Sequence, residues 1–112
     1  MSVSTRVESG VAIIAPSGRI TIAGGDVTLR DAFVKALDDG HRKLLIDVKD
    51  VSYVDSAGLG ELVRCKATAA GRDAKVKLLH VEERLQKVLL LTQLIGVFEI
   101  FDDEKKAIAS FT

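Results

Sequence analysis

The chain has 112 residues, the length of one domain, and it can bury a core without the help of disulfides or metal ions. Sixteen basic residues balance sixteen acidic ones, and four Phe, one Tyr and no Trp offer little aromatic surface, which argues against binding to nucleic acid or to an anionic membrane. The one cysteine, Cys65, excludes an internal disulfide and a cysteine-rich zinc site, and its apolar neighbours predict a buried structural thiol.

The first elements predicted are the two arms of a hairpin. Residues Val3–Val7 alternate apolar and polar, as a half-buried strand does. The turn Glu8-Ser9-Gly10 leads to a second arm at Val11–Ile14. We expect Pro16-Ser17-Gly18 to interrupt this arm, after which Arg19–Ile22 can resume an extended path.

A helix follows the breaker Gly24-Gly25. Its apolar residues lie on one face within Val27–Leu37, at the spacing of an α-helix. Either Asp26 or Thr28 can cap its first turn, and Gly40 lies just beyond its C-terminus, where glycine is common.

The second half of the chain alternates strands with helices. In order, we predict a buried strand at Leu44–Val48, the segment Val51–Val54 with a loop, a helix from Asp55-Ser56 to Ala70 ending at Gly71, a buried strand at Lys75–Val81, a helix at Glu82–Ile95 ending at Gly96, a strand at Val97–Phe101 and a last helix capped by Asp102. Because successive parallel strands need helical crossovers, this order predicts one α/β domain over residues 1–112 with a mixed, mostly parallel sheet. The pattern alone leaves open whether the helices lie on one face of the sheet.

The stretch Val54–Leu62 carries the most information about function. Asp55-Ser56 opens a helix with two glycines, Gly58 and Gly60, near its start, although glycine costs a helix interior about 1 kcal/mol relative to alanine. On one interpretation, Asp55 or Ser56 is only an N-cap and the glycines let the helix pack closely on the sheet. On the other, something approaches this backbone closely, and the free N–H groups and helix dipole favour a negative charge such as a phosphate on Ser56.

The same stretch resembles a known motif. Asp55-Ser56-Ala57-Gly58-Leu59-Gly60 is similar to the phosphorylation-site motif of bacterial anti-sigma factor antagonists, which belong to the STAS domain family. The resemblance continues in Leu44–Val48 with Val51–Val54 and in Val97–Phe101 with Ala107–Phe111, so it covers nearly the whole chain. It implies a STAS-like fold, in which an N-terminal hairpin precedes alternating helices and strands and the helices pack mainly on one face.

The resemblance implies partner switching and no catalytic activity. In such proteins the unphosphorylated form binds an anti-sigma factor that is also a serine kinase and so releases a sigma factor. Phosphorylation breaks this complex, and a serine phosphatase restores it. Ser56 matches the phosphorylated serine and Asp55 the acidic residue before it, while Gly58 and Gly60 match glycines that admit a close partner. The segment expected to bind the kinase consists of Asp55, Ser56, Ala57, Gly58, Leu59 and Gly60.

One loop departs from the family pattern. Many relatives carry an acidic residue and an Asp near the place where this chain has Gly18-Arg19-Ile20-Thr21, so the resemblance does not extend to a partner contact by this loop. The alternative function is that of a constitutive STAS adaptor, with Ser56 unmodified. Such an adaptor scaffolds a signalling complex or serves a membrane transporter as an accessory subunit.

Two other functions have weaker support. A serine hydrolase needs a G-x-S-x-G turn, but Val54 stands where the first glycine would be, and only His41 and His80 could act as the base. A receiver domain would accept a phosphoryl group on Asp47 with the help of Mg²⁺, but the first strand ends in Glu8-Ser9-Gly10 without an acidic pair. Asp47 can equally be a solvated or hydrogen-bonded strand residue. No P-loop or dinucleotide fingerprint occurs, and no cofactor is expected.

The remaining expectations concern the surface and the location of the protein. Core packing is the commoner role for a segment such as Leu89-Leu90-Leu91, although part of it could form an exposed docking patch. Because no apolar run is long enough for a signal peptide or a membrane span, we expect a cytoplasmic protein. We expect it to be a monomer or weak dimer that binds neither nucleic acid nor membrane.

Overall fold

The structure, a computed structural model, describes residues 2–111. Its elements in chain order are β1 (Ser2–Glu8), β2 (Val11–Ile20), α1 (Gly25–Asp38), β3 (Lys43–Asp47), β4 (Asp50–Val54), α2 (Ser56–Ala70), β5 (Lys75–Leu79), α3 (Glu83–Leu91), β6 (Ile100–Phe101) and α4 (Glu104–Ala109). Within this range, six strands form one sheet in the order β1-β2-β3-β5-β6, with β4 also paired to β2. The β1–β2 pair is antiparallel and the others are parallel, which confirms the predicted mixed, mostly parallel sheet after a hairpin.

The β1–β2 hairpin turns on two residues. Ser9 and Gly10 have φ angles of 51° and 79°, the left-handed pair that suits a two-residue turn between twisted strands. The ladder then continues to Ser2, opposite Ser17. The turn predicted at Glu8-Ser9-Gly10 is therefore confirmed.

The strand β2 has ten residues and is continuous, so the interruption predicted at Pro16-Ser17-Gly18 is wrong. On the side away from β1, β2 pairs with β3 up to Ile14 and with β4 from Ser17 onward. Pro16 lies between these two stretches, where no neighbouring strand requires the N–H that proline lacks. The change of partner leaves only a register shift between Gly18 and Arg19. The strand β4 is not among those that the sequence predicts.

The two faces of the sheet carry separate cores. In β2, Ala12 and Ile14 belong to the core under α1, α2 and α3, whereas Val11 and Ile13 belong to the core under α4. Three helices thus cover one face and the six-residue α4 covers the other, which confirms that the helices pack mainly on one face. No helix in the described part of the chain is long and apolar enough to cross a membrane.

The helix α1 starts without a side-chain cap. Gly24 is its N-cap, at φ 141°, and neither Asp26 nor Thr28 takes the capping role predicted for them. The Thr28 hydroxyl instead donates to the Gly24 carbonyl at 3.1 Å, and an Asp26 carboxylate oxygen accepts from the N–H of Val27. The predicted apolar face is confirmed, since it consists of the buried residues Leu29, Phe33, Ala36 and Leu37.

Towards the C-terminus the predicted elements are too long. The helix α3 ends at Leu91 and not at Ile95. Just after Leu91, Gln93 takes a left-handed conformation with φ 62°, which closes the helix. The strand β6 has only two residues. The N-cap of α4 is Asp103, one residue after the predicted Asp102, and its carboxylate accepts from an N–H of the first helical turn at 3.1 Å.

A buried lysine holds the last residues of the described chain on the sheet. Lys77 of β5 is only 6% exposed, and its ammonium donates to the carbonyl and hydroxyl oxygens of Ser110 at 3.0 and 2.9 Å. A Glu99 carboxylate oxygen lies 2.8 Å from the same nitrogen and the Phe111 ring centroid 4.6 Å from it. The hydrogen bond from Lys77 lowers the pKa of Glu99. Burial removes water from the ammonium group, and these contacts take the place of that water.

Replacing Lys77 by alanine should lower the free energy of unfolding by about 2 kcal/mol, because the Ser110 oxygens lose their donor and the ring of Phe111 loses a packing partner. The matched control is Lys75→Ala, at an exposed position of the same strand, which should change stability by less than about 0.5 kcal/mol. Urea denaturation followed by circular dichroism measures both. Equal effects of the two substitutions would contradict the role given to Lys77.

Candidate functional site

The N-termini of α1 and α2 both lie on the carboxyl end of β2. At Gly58, in the first turn of α2, an added Cβ would come within 2.0 Å of the Ile20 carbonyl oxygen. At Gly25, the first residue of α1, it would come within 2.1 Å of the Arg19 carbonyl oxygen. Only glycine fits at either place without a backbone shift. The two helices therefore begin over consecutive residues of one strand.

Asp55 is the N-cap of α2 and holds two segments at once. Its Oδ1 accepts from the Gly58 N–H at 2.8 Å, and its Oδ2 accepts from the Ile22 N–H at 3.1 Å. The Asp55 N–H in turn donates to the Ile20 carbonyl. The hydrogen bond from Gly58, with a smaller contribution from Ile22, lowers the pKa of the Asp55 carboxyl. Of the two caps proposed for this helix, Asp55 is the one that the structure confirms.

Ser56 is the first residue of α2, and it is exposed. Within residues 2–111 its hydroxyl has no hydrogen-bond partner, since Asp55 already caps the helix. The hydroxyl is therefore accessible from solvent, and no internal contact would have to break for it to react. Its position at a helix N-terminus is also one where added negative charge is tolerated best.

The predicted binding segment divides between core and surface. Two of its residues, Gly58 and Leu59, are buried. The other four are exposed or half-buried: Asp55, Ser56, Ala57 and Gly60. The close neighbour of Gly58 is Ile20 of the same chain, which agrees with the interpretation that this glycine lets the helix pack closely on the sheet. At Gly60 an added Cβ would meet no atom within 4 Å. No contact within the described structure therefore requires glycine at position 60.

A shallow groove opens beside Asp55, and Arg19, Ile22 and Tyr53 contribute to its lining. The Arg19 guanidinium carbon lies 5.1 Å from the centroid of the Tyr53 ring, within the range of a cation–π contact. Ile22 is 78% exposed and Tyr53 46%, so apolar surface adjoins the start of α2. The sequence singles out neither residue, since it places Ile22 in an extended path and assigns Tyr53 no role.

The residues considered for enzymatic roles have structural ones. Asp47 is 2% exposed, and its Oδ1 lies 2.9 Å from His80 Nδ1 and accepts from the Lys49 N–H at 3.1 Å. The two side chains are thus hydrogen-bonded to each other, which agrees with the hydrogen-bonded alternative given for Asp47. Cys65 is buried as predicted, and burial raises the pKa of its thiol to about 12. Among the residues that the structure describes, no three His, Cys, Asp or Glu side chains form a group that could hold a metal ion.

A second apolar surface lies at the end of α3. Leu89 is fully buried, which confirms a core role for that part of the leucine run. Leu90 and Leu91 are 63% and 83% exposed. The docking patch anticipated in this run therefore stays a prediction, located at these two side chains.

The fold and the site together define a small α/β domain of the STAS type, with an exposed serine at the start of its second helix. The sequence model of the family described as "Mlab, STAS domain" matches residues 4–99. The chain therefore belongs to the STAS domain family. A protein of Thermotoga neapolitana named as a proposed anti-sigma factor antagonist is 25% identical over 103 residues, which are 92% of this chain and 91% of that protein.

Solved structures show the same fold. The crystal structure of a proposed anti-sigma factor antagonist from Thermotoga maritima matches with a TM-score of 0.87 and 23% identity, over 96% of this chain and 92% of that one. The Bacillus cell fate determinant SpoIIAA in its phosphorylated form matches with a TM-score of 0.75 and 18% identity, over 99% of this chain and 100% of that one. The chain thus has the fold of these solved structures.

Asp55→Asn should lower the melting temperature at pH 7 and have a smaller effect at pH 3. The pKa of Asp55 in the folded protein lies below its unfolded value of about 4. The carboxylate therefore stabilises the fold above that value, and the contribution is lost as the pH falls through the lowered folded pKa. Thermal unfolding at the two pH values measures this, with Asp50→Asn at an exposed position of β4 as the control. An unchanged effect at pH 3 would contradict a cap that depends on charge.

Gly58→Ala and Gly60→Ala should change stability in opposite directions. At position 58 the new methyl group meets the Ile20 carbonyl, and we expect a loss of about 1–3 kcal/mol. At position 60 the methyl has open space in a helix, and we expect a gain of about 0.5–1 kcal/mol. Urea denaturation measures both, and each variant is the control for the other. Stabilisation by Gly58→Ala would show that α2 does not rest on β2 as described.

Proposed function

We propose that this chain is a phosphorylation-controlled binding protein of the anti-sigma factor antagonist type. Its unphosphorylated form binds an anti-sigma factor that is also a serine kinase and so releases a sigma factor. Phosphorylation of Ser56 abolishes binding, and a serine phosphatase restores it. The observation that carries the proposal is the exposed Ser56 hydroxyl at the start of α2, which has no hydrogen-bond partner in the described structure. The family and fold shared with anti-sigma factor antagonists support it.

A phosphate on Ser56 should leave the fold intact. It adds about −1.5 to −2 charge units at neutral pH, and it does so at the N-terminus of a fifteen-residue helix, where the dipole and the free N–H groups favour negative charge. Because Ser56 is exposed, no buried contact is lost. Any loss of binding must therefore arise at the interface with the partner.

The docking surface that we propose surrounds Ser56 and includes Gly60, Ile22 and Tyr53. Exposed apolar area on Ile22 and Tyr53 gives a partner something to cover. A partner that approaches the helix backbone at Gly60 explains a glycine that the described fold does not itself need. The positive charge of Arg19 in the adjoining groove favours an acidic group on the partner. A phosphate dianion introduced into such a contact would lose its water and would repel that acidic group of the partner.

In this proposal the protein acts by binding, has no catalytic activity, and works in the cytoplasm. The second candidate is a constitutive STAS adaptor, in which Ser56 is never modified. The two candidates share a fold, so only the response of binding to charge at position 56 separates them.

The test compares wild-type, Ser56→Ala and Ser56→Glu proteins as baits for partners in a lysate of the source cells, with bound proteins identified by mass spectrometry. Ser4→Glu adds the same charge on the exposed strand β1 and is the matched control. We expect wild type, Ser56→Ala and Ser4→Glu to retain a serine kinase and Ser56→Glu to lose it. Calorimetric titration of the purified kinase should then show binding to Ser56→Glu weakened by roughly 100-fold, the effect of about 3 kcal/mol for an unpaired buried charge.

Gly60→Ala sharpens the same test. Because this variant should be more stable than wild type, weaker binding by it would reflect a closely approaching partner and not a damaged fold. If Ser56→Ala and Ser56→Glu retain the same partners with equal affinity, the phosphorylation switch is wrong. The adaptor function would then be the better description.

A further inference from the structure

The strand β1 forms an uncovered edge of the sheet. It pairs only with β2 in the described structure, and six of its seven residues are exposed. The strand contains no proline, and its register with β2 has no bulge. Proline and bulges are two of the features by which proteins usually protect an edge against pairing with another strand, and β1 has neither. A second strand can therefore add to this edge.

The hairpin determines which backbone groups of β1 face outward. In a two-residue hairpin the residues that flank the turn, Glu8 and Val11, form a hydrogen-bonded pair, and the pairs then alternate. Val7, Thr5 and Val3 occupy the positions that are not hydrogen-bonded to β2. Pro16 opposite Val3 agrees with this, since proline has no N–H to give to β1. The N–H and C=O groups of these three residues thus point away from the sheet.

The sequence of β1 is complementary to itself in antiparallel orientation. With Thr5 opposite Thr5 of a second copy, Val3 of each copy lies opposite Val7 of the other. All three outward-facing positions then meet one another, and each of these pairs can form two backbone hydrogen bonds. Val7, which is 52% exposed in the single chain, gains an apolar partner.

The charges on β1 are compatible with this register. Arg6 and Glu8 lie opposite Ser4 and Ser2 of the second copy, so no like charges are directly opposed. Arg6 already pairs with Glu8, at 3.3 Å between Nη1 and Oε1, and with Glu104 of α4. In the homodimer the two copies of Arg6 lie diagonally across the two-fold axis from each other, and two unpaired arginines would repel there. Each Arg6 is already paired with acidic groups of its own chain, which reduces this repulsion.

We propose that β1 is a homodimerisation edge, at which two copies of this chain pair antiparallel about a two-fold axis at Thr5 and join their sheets into one. The partner is a second copy because the pattern of β1 matches itself over the whole strand. The contact is small and largely polar, so the dimer is weak and depends on protein concentration. The proposal does not depend on Ser56.

The test uses the unique property of position 5, the one residue that faces its own equivalent in this register. Thr5 is exposed in the single chain, so substitutions there leave the fold intact. Thr5→Lys and Thr5→Glu each place two like charges directly opposite one another in the homodimer, whereas an equimolar mixture of the two variants places opposite charges together. Thr5→Val replaces the central pair by two β-branched apolar residues.

Sedimentation velocity over a range of concentrations measures the result on the full chain, and circular dichroism and thermal unfolding verify each fold. We expect wild type to shift towards a dimer as the concentration rises, Thr5→Val to do so at lower concentration, and each charged variant alone to stay monomeric. The mixture of Lys and Glu variants should recover the dimer. A wild type that is monomeric at every concentration would overturn the proposal. So would charged variants that dimerise as well as wild type, since the contact would then lie elsewhere.

Discussion

The close contact between Gly58 and the Ile20 carbonyl is the constraint on which the rest of the site depends. Because no side chain intervenes, the first turn of α2 rests directly on the end of β2, and Asp55 comes within reach of the Ile22 N–H as well as its own helix. One carboxylate thereby joins the loop after β2 to the helix. Ser56 is left exposed at a helix end that these contacts hold in place, as the proposed modification site requires.

Much of the fold could be predicted because its signals are local. The alternation at Val3–Val7, the turn at Ser9-Gly10 and the apolar run at Leu44–Val48 each specify an element within a few residues. What could not be predicted depends on partners distant in sequence. Pro16 is tolerated in β2 because it lies between the residues that pair with β3 and those that pair with β4. The residue pattern of β2 does not indicate where the pairing with these two strands begins and ends.

The site shows the same division. The start of α2 at Asp55-Ser56 was recognisable from residue types that favour helix N-termini, but only the structure distinguishes the capping residue from the exposed one. Gly58 and Gly60 look equivalent in the sequence, yet one is pressed against a strand and the other faces open space. The role of Lys77 cannot be predicted from the sequence, because a single lysine in a strand pattern does not reveal the Ser110 oxygens that accept its hydrogen bonds.

Tyr53 gives the protein a built-in optical reporter. It is the single tyrosine of a chain without tryptophan, so excitation at wavelengths that phenylalanine does not absorb gives intrinsic emission from this one ring. The ring is about half exposed, lies under the Arg19 guanidinium and lines the groove beside Asp55. Events in that groove, whether a partner covers it or its charges rearrange, act on the ring directly. The native chain can therefore be followed by tyrosine fluorescence with no label attached, provided that the partner's own emission lies at other wavelengths.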